Sequence, residues 1–151
     1  MNNQTNYDLI SRQLDALLTD ETDIIANLSN TSALLNENLS DINWVGFYLL
    51  KNNALILGPF QGKPACVHIQ IGSGVCGTAV KHDSVQRVAD VNAFPGHIAC
   101  DANSQSEMVL PIHKNNEIIG VLDIDAPIKD RFSYSDEQGL QTIVEVLERH
   151  L

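Results

Sequence analysis

Basic residues are scarce in this sequence: 9 Lys and Arg stand against 19 Asp and Glu, leaving a formal net charge of −10 over 151 residues. A surface field of that sign repels a phosphate backbone, so no nucleic-acid partner is expected. Long apolar runs are missing too. None approaches the roughly 20 residues that a bilayer span requires, so no membrane is expected either. The first residues, Met1 to Asp8, lack the basic start and apolar stretch of a secretory leader and are not Arg-rich, which makes the cytoplasm the expected address. Cysteine is limited to Cys66, Cys76 and Cys100. Three thiols cannot all pair within one chain, and a reducing compartment does not keep structural disulfides closed. The count points away from a disulfide framework and leaves thiol chemistry open.

What is present suits one globular domain over residues 1–151, with an apolar fraction of 44% and a charged fraction of 19%. No repeat, low-complexity segment or linker interrupts it. From about Tyr7 to Thr19, Ile10, Leu14, Leu17 and Leu18 mark one face of a helix. A second helix is expected after Asp20 as N-cap, with Ile24, Ile25, Leu28, Ala33, Leu34, Leu35 and Leu39 as its apolar face. Asn43 to Leu50 reads as a strand, and Ala54 to Leu57, after an Asn-Asn turn, as its hairpin partner. Val67 to Ile71 alternates like a half-buried strand, and a short helix from about Val75 to His82 follows it. Val85 to Ala89 reads as another strand. The irregular segment from Asp90 to Gln105 is long enough to expect function in it. Met108 to His113 and Ile118 to Ile124 form a second hairpin, and a terminal helix capped by Ser135 or Asp136 carries Leu140, Ile143, Val144 and Leu147. This order implies an α+β fold, an antiparallel sheet with N-terminal helices and a C-terminal helix packed against it.

Gly72-Ser-Gly-Val-Cys-Gly77 spells G-x-G-x-x-G, but a dinucleotide site needs a βαβ crossover, and too few residues follow Gly77 before the next strand. The glycines therefore read as a tight turn into a short helix. Cys66, Cys76, His97 and Cys100 are residue types that zinc takes, yet the gaps between them do not form the close pairs of structural zinc sites, and no metal is expected. Two of the thiols sit in loops: Cys66 ends a Gly-Lys-Pro loop, and Cys100 stands between Pro95-Gly96 and Asp101. Loop thiols are accessible, and two that meet can divide labour. One attacks and is oxidised to a sulfenic acid; the other condenses with it to a disulfide.

Asp123 and Asp125 flank Ile124, so the period of 2 puts both on one strand face. There they are either exposed strand-end charges or a pair that shares a proton or meets a cation. Glu107 opens the preceding strand close to them. Facing Cys100 in a pocket, one protonated carboxyl of this group would donate to a substrate oxygen and an ionised one would bind an ammonium group. The same carboxylates would raise the thiol pKa of Cys100 and leave it dependent on substrate for activation.

Trp44-Val-Gly-Phe-Tyr48, Gly58-Pro-Phe-Gln-Gly-Lys-Pro-Ala-Cys66, Gly74-Val-Cys-Gly77, Phe94-Pro-Gly-His-Ile-Ala-Cys-Asp101, Ser106-Glu107 and Leu122-Asp-Ile-Asp125 together resemble the free methionine-(R)-sulfoxide reductases. The resemblance implies a GAF fold and a free amino acid as substrate. It implies Cys100 as the attacking thiol, Cys66 as the principal resolver and Cys76 as an accessory thiol. Glu107, Asp123 and Asp125 match the acidic residues that hold the ammonium group and assist protonation of the sulfoxide oxygen, while Trp44 and Tyr48 match an aromatic wall beside the substrate methyl group. Ser73 departs from the pattern, since many relatives carry a basic residue there. The resemblance further implies thioredoxin as reductant, no cofactor and a homodimer. The competing reading is a small-molecule-sensing GAF module; such sensors are usually fused to an output domain, for which no residues remain here.

Overall fold

The computed structural model describes residues 4–97 and 100–151; Ile98 and Ala99 of the Phe94–Asp101 motif lie outside them. Helix α1 (Tyr7–Leu18) is capped by the Asn6 side chain, which accepts from the Leu9 amide at 3.1 Å. Helix α2 (Ile24–Asn38) is capped by Asp23, which accepts from the Ala26 amide at 2.9 Å. Asp20 is not the cap: it takes a left-handed conformation (φ 67°) in the turn, whereas a capping residue needs extended backbone.

Six strands follow in the spatial order β3-β2-β1-β6-β5-β4, every neighbouring pair antiparallel. They are β1 (Trp44–Lys51), β2 (Ala54–Gly62), β3 (His68–Gln70), β4 (Gln86–Val88), β5 (Ser106–Lys114) and β6 (Glu117–Ala126). Strand β2 runs five residues past the expected Leu57, because an irregularity opposite Gly46–Tyr48 of β1 takes up Gly58 and Pro59 outside the register and pairing resumes at Phe60. Helix α3 (Gly74–His82) lies between β3 and β4, and a 3-10 turn (Val91–Ala93) follows β4. Helix α4 (Tyr134–Glu148) closes the fold. Its cap is Ser133, not Ser135, and Asp136 completes a capping box by accepting from the Ser133 amide at 2.9 Å.

The alternation of strand side chains splits the core in two. On one face Val45, Phe47, Leu110, Leu122 and Ile124 pack with Ile10, Leu14, Leu18, Leu28, Leu35 and Leu140 from α1, α2 and α4. On the other, Trp44, Tyr48, Val109 and Val121 meet Val75, Cys76 and Ala79 of α3. The buried stripe of α2 is narrower in apolar residues than its sequence pattern. Ile24 and Ile25 are exposed (38% and 52%), as are Ala33 and, on α1, Leu17 (45%). Thr31 and Ser32 of α2 are buried instead, and their hydroxyls donate to the carbonyls one turn back at 2.7 and 2.8 Å and so enter the core satisfied. Among the described residues no helix is long and apolar enough to cross a membrane.

Candidate functional site

The α3-facing side of the sheet holds the polar cluster. Strand register sets Trp44 opposite Asp125 and Asp125 opposite Glu107, so one row crosses β1, β6 and β5. The next row on that face is Gly46, Asp123 and Val109; Tyr48 and Val121 follow. Asp123 and Asp125 therefore share a face, as their spacing dictates. They are not exposed strand-end charges: Asp123 is 5% and Glu107 7% exposed, and Asp125 is half-buried.

Helix α3 covers this face and brings Cys76 into the pocket wall. The Gly72–Gly77 segment is the tight turn into that helix. Gly72 and Gly74 take positive φ (88° and 63°), the Gly72 amide donates to the Gly77 carbonyl at 2.8 Å, and a Cβ on Gly77 would run into the Gln70 carbonyl. Ser73 lines the mouth.

Two loops close the pocket, and a disulfide joins Cys66 of one to Cys100 of the other, with Cα atoms 5.6 Å apart. Trp44 and Tyr48 anchor the first loop: Trp44 Nε1 donates to the Lys63 carbonyl at 3.1 Å and Tyr48 Oη to the Cys66 carbonyl at 2.8 Å. Their rings stack at 5.9 Å, with Phe60 stacked on the other side of Trp44 at 5.2 Å. Asn43 anchors the second loop, donating Nδ2 to Asp101 Oδ2 at 3.0 Å and Ser104 Oγ at 3.1 Å. No sequence signal marks Asn43 or Ser104, since a lone Asn before a strand and a lone Ser in a loop carry no motif. Cys100, Cys76, Glu107, Asp123, Asp125, Trp44 and Tyr48 all line one pocket. Cys66 reaches that site through its bond to Cys100.

Burial dominates the electrostatics. It pushes the Glu107, Asp123 and Asp125 carboxyls well above the ordinary carboxylate range, and repulsion among them adds to the shift. Three carboxylates this close resist ionising together, which favours a shared proton among them. The Cys76 thiol is likewise pushed up, first by burial and then by Asp123, so it is a poor thiolate and, with the other two cysteines bonded, remains free. His97 Nε2 stands 3.7 Å from Glu107 Oε1. Burial lowers the imidazole pKa and raises that of the carboxyl, and both shifts work against an ion pair here. Asp123 Oδ1 and Asp125 Oδ1 are buried without a hydrogen-bond partner among the described residues. Such orphaned acceptors suit a cationic donor arriving with a ligand. Among the described residues, Cys76, Glu107 and Asp123 also bring metal-ligating atoms within 4.8 Å of one another.

A GAF domain family model matches residues 13–151. The chain is 57% identical over 151 residues to the free methionine-R-sulfoxide reductase of Escherichia coli strain K12, covering 100% of this chain and 92% of that one. A solved structure of fRMsr of Staphylococcus aureus in its reduced form superposes with a TM-score of 0.97 at 63% identity, over 100% of this chain and 99% of the other. The free methionine-R-sulfoxide reductase of Neisseria meningitidis, solved in complex with its substrate, superposes with a TM-score of 0.92 at 41% identity, over 95% and 87% of the two chains.

Proposed function

The chain belongs to the GAF domain family and, within it, to the free methionine-R-sulfoxide reductases, and from that premise we propose how its own residues reduce free L-methionine-(R)-sulfoxide. The protein is an oxidoreductase. The observation that carries the mechanism is the Cys66–Cys100 disulfide at a pocket floored by three protonatable carboxyls. A two-electron reduction of a sulfoxide needs a thiol to take the oxygen, an acid to protonate it and a second thiol to release it as water.

Cys100 attacks the sulfoxide sulfur while a protonated carboxyl, Glu107 or Asp125, gives its proton to the oxygen. The substrate's sulfur–oxygen bond breaks, the protonated oxygen passes to Cys100 Sγ, the thiol's own proton returns to the carboxylate, methionine leaves, and Cys100 is left as sulfenic acid. Cys66 then displaces water from that sulfenic acid and the disulfide forms. An external dithiol, thioredoxin in this reading, reopens it by exchange and carries the two electrons in. Cys76 is an accessory thiol, and no cofactor enters any step.

Asp123 and Asp125 receive the substrate ammonium group at their unpartnered oxygens, which ties recognition to the free amino acid: a residue within a peptide has no ammonium group to offer. Trp44 and Tyr48 supply the apolar wall for the methyl group. The protein works as a homodimer in the cytoplasm in this reading, with each chain a single catalytic domain.

The deciding experiment is turnover of free L-methionine-(R)-sulfoxide against its (S) epimer and a peptide-bound sulfoxide, with thioredoxin, thioredoxin reductase and NADPH as readout. Consumption confined to the free (R) form is expected. Folded, reduced protein that consumes none of them would instead be a sensing module.

A further inference from the structure

Sulfoxide reduction leaves one grouping in the pocket with more chemistry than the reaction needs. With Cys66 and Cys100 joined, Cys76 is the remaining thiol, 4% exposed on the pocket wall. Its Sγ, a Glu107 oxygen and an Asp123 oxygen all lie within 4.8 Å of one another. Zinc bonds of about 2.0–2.3 Å reach three such donors after small side-chain rotations. His97 Nε2 lies outside that three-residue cluster but stands 3.7 Å from Glu107 Oε1 at the same pocket, where a turn of its ring would bring in a fourth donor of the type zinc takes. Independently of the cluster, Asp123 Oδ1 is buried in the pocket wall without a partner among the described residues.

We propose that the disulfide-closed protein binds one zinc ion through Cys76 Sγ, Glu107 and Asp123, completed by His97 Nε2, and that the ion shuts the pocket to substrate. The mixed sulfur, oxygen and nitrogen set selects a borderline cation such as zinc over magnesium or calcium, which take oxygen alone. On binding, the Cys76 S–H bond breaks, a Zn–S bond forms, and the thiol proton passes to solvent together with any proton held on the Glu107 and Asp123 carboxyls; no electrons move. The gaps between Cys66, Cys76, His97 and Cys100 argue against a zinc site of those four residues. Folding withdraws Cys66 and Cys100 as donors and substitutes two carboxylates from β5 and β6, which no spacing rule pairs with Cys76. The binding half stands on geometry alone; the blocking half rests on the sulfoxide reading of the same pocket.

The test uses oxidised full-length protein stripped of metal, titrated with cadmium and then zinc. Cadmium should bind at one equivalent per chain with a thiolate-to-metal absorption band in the ultraviolet, and zinc should displace it. C76S should lose the band, and C76S and H97A should each weaken zinc at least tenfold. Absence of the band in the wild-type protein, which needs no variant to fold, overturns the site, as does unchanged zinc affinity in C76S. Free methionine sulfoxide should weaken apparent zinc affinity competitively; tight zinc binding indifferent to sulfoxide overturns the blocking half. Failure of the metal-free protein to bind or reduce sulfoxide would sink the functional reading instead, and the cadmium band would still decide the metal site.

Discussion

Tyr48 donates its hydroxyl to the Cys66 carbonyl oxygen at 2.8 Å, so the strand that walls the pocket also holds the loop carrying one half of the disulfide. An aromatic wall alone needs only the ring. In the proposed mechanism the hydroxyl serves the second thiol, because Cys66 must arrive at Cys100 after the oxygen has been transferred. Tyr48→Phe keeps the ring and removes a hydrogen bond worth about 1 kcal/mol. Its first equivalent of methionine should form at near the wild-type rate, while disulfide closure slows several-fold. Rapid quench of methionine against free-thiol count separates the steps, and equal slowing of both would assign the hydroxyl to substrate instead.

The same division of labour fixes what thiol variants do. Cys100→Ser should form no methionine at all. Cys66→Ser should release about one methionine per chain and stall as the sulfenic acid, which a dimedone-type reagent would trap at Cys100. Equivalent loss of the single-turnover burst in both variants would refute the assignment.

Fold and site are legible in the sequence to unequal degrees. The period-2 placement of Asp123 and Asp125 follows from strand geometry, and the register with Glu107 and Trp44 turns it into a site. Whether those carboxyls are surface charges or a pocket floor is undecidable from the strand alone, because burial depends on α3 and two loops that come from elsewhere in the chain. Local signals fail where alternatives lie within a few residues. Asp23 and Ser133 cap their helices in place of Asp20 and of Ser135 or Asp136, and all are good caps by type. On α2 the apolar pattern overcounts, since Ile24 and Ile25 in its first turn stay exposed while Thr31 and Ser32, two turns on, are buried with their hydroxyls satisfied.

The buried acids predict a pH dependence of defined sign. Their raised pKa values keep a proton available above the ordinary carboxylate range, so the single-turnover rate should be flat at acid pH and fall as pH rises through the shifted pKa. Glu107→Gln or Asp125→Asn, whichever removes the donor, should lower that rate by about 100-fold or more and abolish the alkaline fall. An unchanged profile in both variants would remove the acid role from this pair.

Stability has the same sign. A carboxyl whose pKa is raised on folding favours the folded state while it stays protonated, and that contribution is lost as pH rises through the folded-state value. Asp123→Asn cannot ionise, so it should gain thermal stability relative to wild type as pH rises above the ordinary carboxylate value of about 4, and little below it. The same variant should raise KM for the free amino acid, because the orphaned Asp123 oxygen loses its charge. Melting curves across that range check the first half; a constant difference at every pH would mean that Asp123 is not strained by ionisation.

Where α1 crosses α4, Gly139 has the ring of Tyr7 against it, and a Cβ there would collide with the ring atoms Cγ and Cδ2. By helix propensity alone Gly139→Ala should stabilise α4 by about 1 kcal/mol. The contact reverses the sign, because Tyr7 is not free to swing away: its hydroxyl donates to Asp136 Oδ1 at 2.7 Å, and Asp136 also completes the cap of α4. Overpacking should therefore destabilise the protein by about 1–3 kcal/mol. In a Tyr7→Ala background the collision is gone and the same Gly139→Ala change should become stabilising. A double-mutant cycle by urea unfolding measures this coupling, and additivity of the two changes would show that close approach at Gly139 does not set how α1 and α4 pack.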